Sequence, residues 1–338
     1  MAAEKPMVSV YCLTYNHENY IRDCLEGFVA QKTAFPFEVI VHDDASTDRT
    51  AEIVQEYEKK YPHIFKVIYE EENQYQRHRP ILRDLVLPIV RGKYIAICEG
   101  DDYWIDDQKL QDQVTILENN PDCHFCVAGV EEVALDKTPL GVFHPAHKIE
   151  SLFISPNAFV AYANDYSFQT SSYMMRYDDW KEYIQNPPEF RKKSDIGDLP
   201  ILLNFGSLGR TAYIDRIVSC YRRGALTSYS AKRIFWSEEE RITHWTKSVE
   251  SWKAFDVFSN GRFKDTCSNA IAKPMFDICI VTCNAKQFFM RENIRYFQAL
   301  PSRKKLFILL ATVLKKPIRT LYWGKVKKTE KSLLKSWN

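Results

Sequence analysis

A chain of 338 residues that is 45% hydrophobic can bury a sizeable core, enough for one large domain plus an accessory region. Its formal net charge of +2 gives no case for a nucleic-acid partner. No run of 18 apolar residues occurs, so no transmembrane helix is predicted. The segment before the first strand is too short and polar for a signal peptide. Nine cysteines at irregular positions, several inside apolar runs, argue for reduced thiols in a cytosol rather than a disulfide framework.

In chain order, Val8 to Leu13 is a β-branched, apolar strand with a polar exit loop, Thr14 to Asn19. Ile21, Leu25, Phe28 and Val29 then recur at helical spacing. Phe37 to Val41 is the next strand, and it runs into His42-Asp43-Asp44-Ala45-Ser46-Thr47-Asp48. The oxygens of Ser46, Thr47 and Asp48 suit the start of a helix from about Thr50 to Lys60. Phe65 to Tyr69 is a third strand. A helix is predicted from Leu82 to Val90, closed by Arg91-Gly92. Tyr94 to Cys98 is a fourth strand, opening into Glu99-Gly100-Asp101-Asp102-Tyr103-Trp104. A helix from Asp106 to Asn119 and a fifth strand from Phe125 to Gly129 follow. Strands alternating with helices at this spacing predict βαβ units and a mostly parallel sheet.

Beyond the fifth strand the pattern is less regular. Tyr166 to Arg176 reads as an extended element, and Ser194 to Leu203 as an acidic loop opening a helix. Phe235 to Leu300 reads as mainly helical. Residues 301–338 place Arg303, Lys304 and Lys305 before the apolar run Leu306 to Leu314, with Lys315, Lys316 and Arg319 after it. That pattern fits either a membrane-surface element or an ordinary packed helix with a solvated basic face.

The two acidic clusters carry the chemistry. Carboxylates crowd at a cost unless a counter-cation is present. Two acidic strand ends in the first third of the chain predict one site at the carboxyl edge of the sheet. Adjacent aspartates also occur in turns and helix caps, and Asp48 reads as such a residue. Tyr103 and Trp104 read as cleft walls or core. Cys123 and Cys126 lack the further ligands of a zinc site and read as strand residues, and His144 and His147 as loop histidines.

Taken together, Val8-Ser9-Val10, Thr14-Tyr15-Asn16, Val41 to Asp48, Arg91 to Ile95 and Glu99-Gly100-Asp101-Asp102 resemble, in order and spacing, the family 2 glycosyltransferases. The resemblance covers about residues 7–225. It implies a GT-A fold: a Rossmann-like α/β domain with a mostly parallel sheet over residues 1–225. A helical extension over 226–300 and a basic amphipathic tail over 301–338 would follow.

The resemblance further implies inverting transfer of a hexosyl or N-acetylhexosaminyl group from a nucleotide-diphosphate sugar, with Mn²⁺ or Mg²⁺. Thr14, Tyr15 and Asn16 would grip the nucleobase. Asp44 would read the base and Asp43 would support it, and a carboxylate accepting an imide N–H suits uracil. Arg83 would neutralise diphosphate oxygens. Asp101 and Asp102 would hold the metal against the diphosphate. Glu99 stands where the family usually has aspartate, which leaves its share in ribose or metal binding open. Asp198, in Ile196-Gly197-Asp198-Leu199, would be the general base, with Asp195 as the alternative.

Tyr221-Arg222-Arg223-Gly224 resembles a Tyr-Arg-x-His segment, with Gly224 in the histidine's place, so Arg222 or Arg223 would supply the cation. The expected partners are a UDP-sugar and a glycan or lipid-linked acceptor of surface polysaccharide. The expected location is the cytoplasm, with residues 301–338 resting on the inner membrane face. Two rival readings are a sugar-phosphate nucleotidyltransferase and a non-catalytic sugar-nucleotide-binding scaffold. The first wants a Gly-rich loop after the first strand, and a dinucleotide-dependent dehydrogenase would want one too. Residues 14–19 contain no glycine.

Overall fold

The computed structural model describes residues 4–165, 167–224 and 233–337. Contacts divide the chain into two units: Met1–Pro187 with Ile201–Arg223, and Pro188–Pro200 with Gly224–Asn338.

The first unit is built on a ten-stranded sheet. Its parallel half comes from β1 (Val8–Thr14), β2 (Phe37–Asp43), β3 (Phe65–Tyr69) and β4 (Tyr94–Ile97), in the order β3-β2-β1-β4. These strands are rich in β-branched and aromatic residues. β1, β2 and β4 are buried nearly throughout, as expected of parallel strands covered on both faces. Helix α1 (Ile21–Val29) lays Ile21, Cys24, Leu25 and Phe28 into the same core as Val8, Val10, Val39, Val41 and Ala96. Helix α2 (Thr50–Lys60) adds Ile53, Val54 and Tyr57. At about 25 cal/mol per Å² of apolar area, such burial is what holds the sheet together.

Beyond β4 the sheet continues through β9 (Met174–Arg176), β6 (Cys123–Val133), β10 (Arg210–Arg222) and β5 (Tyr103–Trp104). β6 and β10 are parallel, whereas β9 runs antiparallel to both β4 and β6. β7 (Pro139–His144) extends β6, and β8 (Phe153–Ile154) extends β10, both antiparallel. Helices α3 (Lys109–Asn119), α4 (Pro156–Asn164) and α5 (Tyr177–Gln185) complete this unit with most of α7 (Asp198–Leu208).

Several elements depart from the sequence expectations. The helix predicted from Leu82 to Val90 is a single wide π-turn, Leu82–Val86, followed by a 3₁₀ turn, Leu87–Ile89. Pro88 has no N–H to continue an α-helical ladder. The fifth strand is longer than predicted, Cys123–Val133 rather than Phe125 to Gly129, because β10 pairs with it nearly end to end. Of the extended element predicted from Tyr166 to Arg176, only Met174–Arg176 is a strand. Thr170–Ser172 is a 3₁₀ turn, and Tyr166 lies outside the described residues. α3 starts at Lys109 rather than Asp106, and Asp106 Oδ1 accepts from the Gln108 amide at 2.9 Å. All nine cysteines are free thiols.

The second unit is mainly helical. It contains α6 (Glu189–Lys193), α8 (Glu238–Phe258), α9 (Lys264–Val281), α10 (Ile294–Ala299), α11 (Ser302–Ala311) and α12 (Lys315–Trp337). α8 starts with a full capping box between Ser237 and Glu240. Phe190 of α6 packs edge-on against Phe255 and Phe258 of α8, with ring centroids 5.3 and 5.1 Å apart. α11 buries Ile308 and Ala311 and exposes Leu306, Leu309 and Leu310. Among the described residues, no helix is long and apolar enough to cross a membrane.

Candidate active site

Because β1, β2 and β4 are parallel, their exit loops emerge on one edge. Thr14 lies opposite Asp43 in the register, and both end their strands. The two loops are stitched by reciprocal bonds. Asn16 N–H donates to Ser46 Oγ at 3.0 Å, and Asn16 Oδ1 accepts from Thr47 N–H at 2.8 Å. Glu18 N–H donates to Asp48 Oδ2 at 3.0 Å, while Asp48 Oδ1 accepts from the Thr50 amide at 2.9 Å. Asp48 therefore serves the start of α2, as the sequence suggested, whereas Ser46 turns back to Asp43. Asn16 takes φ +54°, a conformation that asparagine tolerates better than most residues.

Asp43 and Asp44 point to different partners. The Asp43 carboxylate accepts from the Ser46 hydroxyl and from its amide, the latter at 3.2 Å. Burial raises its pKa, and these bonds only partly offset that. Asp44 is held through backbone: its two oxygens accept from the Gln74 and Tyr75 amides at 2.6 and 3.1 Å. It thereby fixes the turn that displays Tyr75, a residue 74% exposed. Nothing in the sequence around Gln74 and Tyr75 marked them as Asp44 partners.

The acidic turn after β4 is pinned at several points. Gly100 N–H donates to Leu13 O at 3.0 Å, and Asp102 N–H to Glu99 O at 3.0 Å. A Cβ on Gly100 would lie 2.7 Å from Thr14 Oγ1, so only glycine lets the turn approach β1 this closely. Glu99 Oε2 accepts from Thr170 Oγ1 at 2.8 Å, which uses the extra methylene that distinguishes it from aspartate. Asp102 is buried, and its Oδ1 accepts from the Arg222 amide at 3.0 Å. Burial first, and then the charges of Asp101 and Glu99, push its pKa well above the usual carboxylate range. Trp104 is core: its indole N–H donates to Ser171 O at 2.8 Å, and its ring packs edge-on to Phe28.

Arg222 braces this turn. Its guanidinium donates to Asp101 O at 2.8 Å, forms an ion pair with Asp23, and lies between the rings of Tyr20 and Tyr103 at 5.1 and 4.6 Å. Arg223 donates to Glu132 at 2.8 Å, and Glu132 also meets His144 at 2.7 Å. Both arginines thus have partners within the protein. Gly224 adopts φ +95°, which explains why a residue with a side chain does not fit there. Arg83 is the exposed residue of the π-turn and pairs with Asp84 at 2.7 Å.

A hard divalent cation suits the oxygen donors of Asp101 and Asp102, and a positive charge there would relieve the carboxylate crowding that raises Asp102. Among the described residues, no three His, Cys, Asp or Glu side chains converge into a metal site. A cation held here would need donor oxygens from a bound ligand as well.

In the second unit, Asp195 and Asp198 share a short loop and the first turn of α7 but differ in surroundings. Burial pushes the Asp198 carboxyl up to about 6. Asp195 meets His244 Nδ1 at 2.9 Å; burial raises its pKa, but the His244 bond and the charges of His244 and Lys247 together hold it below the usual range.

The family model for glycosyl transferase family 2 matches residues 9–190, more than half of the 338-residue chain. The chain belongs to glycosyltransferase family 2. It is 33% identical over 243 residues to the Mycobacterium tuberculosis protein Rv1520, a match covering 68% of this chain but 63% of that relative's length. It is 37% identical over 148 residues to the putative teichuronic acid biosynthesis glycosyltransferase TuaG of Bacillus subtilis, covering 44% of this chain and 55% of TuaG. The fold resembles residues 1–349 of Staphylococcus aureus TarS, crystallised in complex with UDP-GlcNAc. The TM-score is 0.56 at 16% identity, over 96% of this chain and 91% of that one. The architecture is thus the GT-A fold with a helical C-terminal region, as the motifs implied.

Proposed function

We propose that the protein is a metal-dependent, inverting glycosyltransferase. It moves a sugar from a UDP-sugar to a glycan or lipid-linked acceptor in surface polysaccharide synthesis. The observation that carries this reading is the single sheet edge at which Thr14, Asp43 and the Glu99–Asp102 turn emerge together, with Asp102 buried among like charges.

Thr14, Tyr15 and Asn16 line the nucleobase subsite, and the free lone pairs of Asp43 and Asp44 read the base. Asp101 and Asp102 hold Mn²⁺ or Mg²⁺, which supplies charge neutralisation to the departing nucleoside diphosphate. Arg222 fixes the turn that carries both carboxylates. Arg83, exposed and paired with Asp84, is a candidate for a diphosphate contact alongside Arg222 or Arg223.

Asp198 takes the proton from the attacking acceptor hydroxyl. A carboxyl titrating at about 6 is a stronger base than an ordinary aspartate yet is largely ionised near neutrality. Asp195 is the poorer base, because the His244 bond favours its ionised form.

The exposed Leu306, Leu309, Leu310, Val313 and Leu314, bracketed by Arg303, Lys305, Lys315 and Lys316, support contact with an anionic membrane surface on the cytoplasmic side. If a chain ending before Arg303 pellets with anionic vesicles as well as the full chain does, that contact is disproved.

The central test is thermal stability against nucleoside diphosphates and triphosphates with and without Mn²⁺. A ligand that binds the folded state raises the midpoint. A manganese-dependent rise with UDP is the expected result. A rise with triphosphates alone would point to a nucleotidyltransferase. Binding of UDP-sugars without turnover would point to a scaffold.

A further inference from the structure

We infer that His244 is a positioning residue for the proposed base Asp198, acting through Asp195. The inference rests on the reading of Asp198 given above. Its evidence lies wholly within the second unit. Two contacts between residues 188–200 and α8 bear on this. The first is structural: Phe190 packs between Phe255 and Phe258, and Ser251 Oγ donates to Phe190 O at 2.8 Å.

The second is a hydrogen bond at the other end of the segment. Nδ1 of the buried His244 lies 2.9 Å from Asp195 Oδ2. The ring is held in turn by Trp236, with centroids 5.0 Å apart. A buried imidazole bonded to a carboxylate is a directional contact, and it fixes the Asp195 carboxylate in orientation as well as in place. Ser194 tightens the same loop: its hydroxyl donates to Ile196 O at 3.0 Å and accepts from the Ile196 amide at 3.2 Å. A Cβ on Gly197 would meet nothing within 4 Å, so this residue adds no side-chain packing. Asp198 therefore begins α7 only two residues beyond a bonded turn and three beyond the His244 contact. A general base must keep hydrogen-bond geometry to the hydroxyl it deprotonates, and a displacement of about 1 Å can cost roughly 100-fold in rate. By this route the helical extension governs the step that consumes the acceptor.

The test measures UDP release from UDP-GlcNAc with Mn²⁺, UDP affinity by calorimetry, and hydrogen exchange of residues 194–199, all in the full chain. His244→Ala should expose 194–199 to exchange and lower kcat about 10- to 100-fold, with donor KM and UDP affinity unchanged. His244→Asn keeps a donor where Nδ1 stood and should restore most of kcat. Ser251→Ala removes the structural anchor at Phe190 and should lower the thermal midpoint while leaving kcat within about two-fold of the parent. The inference is overturned if His244→Ala leaves kcat unchanged, if Ser251→Ala lowers kcat as much, or if His244→Asn rescues nothing. Asp198→Asn separates this from the reading beneath it. Turnover that survives Asp198→Asn removes Asp198 as base, whereas turnover lost there but kept in His244→Ala removes only the positioning role.

Discussion

The backbone amide of Arg222 donates to Asp102 Oδ1 at 3.0 Å, and the same residue's guanidinium donates to Asp101 O at 2.8 Å. One residue of β10 thus clamps both aspartates of the turn after β4. Arg222→Met keeps the amide bond but takes away one of the two cations paired with Asp23, leaving Lys137, and removes the clamp on Asp101. Because Asp23 is part-exposed and keeps Lys137, the loss is that of charge-assisted hydrogen bonds, about 1.5–3 kcal/mol. Urea unfolding should show a loss of that size, and the Mn²⁺-dependent response to UDP should weaken in protein that remains folded.

Gly100→Ala tests the closeness of the turn to β1. The new Cβ would meet Thr14 Oγ1 at 2.7 Å and His17 Nδ1 at 2.9 Å. Overpacking of this kind costs about 1–3 kcal/mol. Because Thr14 also borders the proposed nucleobase subsite, UDP affinity measured by calorimetry should fall about ten-fold or more, 1.4 kcal/mol being one decade.

Glu99→Asp restores the residue usual in the family but shortens the side chain by one methylene and gives up the 2.8 Å bond from Thr170. The expected loss is about 1 kcal/mol in stability. Thr170→Val should produce a similar loss. The double variant should lose less than the sum, as a double-mutant cycle on a contacting pair requires.

Lys109 is fully buried beneath Trp104, with Nζ 4.1 Å from the ring centre and 2.9 Å from Gln113 Oε1. Burial lowers its pKa from 10.5 to about 7. Between those two values the unfolded chain binds the proton and the folded chain does not, so this residue makes stability rise with pH from about 7 toward 10.5. Lys109→Met should flatten that rise. At pH 7 or below it should stabilise the fold by roughly 1 kcal/mol or more, since an apolar replacement of a buried charge removes its desolvation cost. Thermal midpoints of parent and variant from pH 6.5 to 9.5 check both.

The parallel half of the sheet and the acidic strand ends were legible in the sequence, because each is written in a few neighbouring residues. Val8-Ser9-Val10-Tyr11-Cys12 reads as strand by its own composition, and Glu99-Gly100-Asp101-Asp102 reads as an acidic turn wherever its partners lie. The limits of α3 and the failure of the Leu82 to Val90 helix turned on single residues, Asp106 and Pro88, whose local effects were there to be weighed. Tertiary structure alone decided what surrounds the carboxylates. Arg222 reaches Asp23, which lies 199 residues earlier, and Thr170 reaches Glu99 across 71 residues. His244 meets Asp195 from 49 residues away. No periodicity or motif encodes such pairs, because the energy of a hydrogen bond or charge pair depends on distance in space. That distance is set only once the hydrophobic core has brought the strands and helices together.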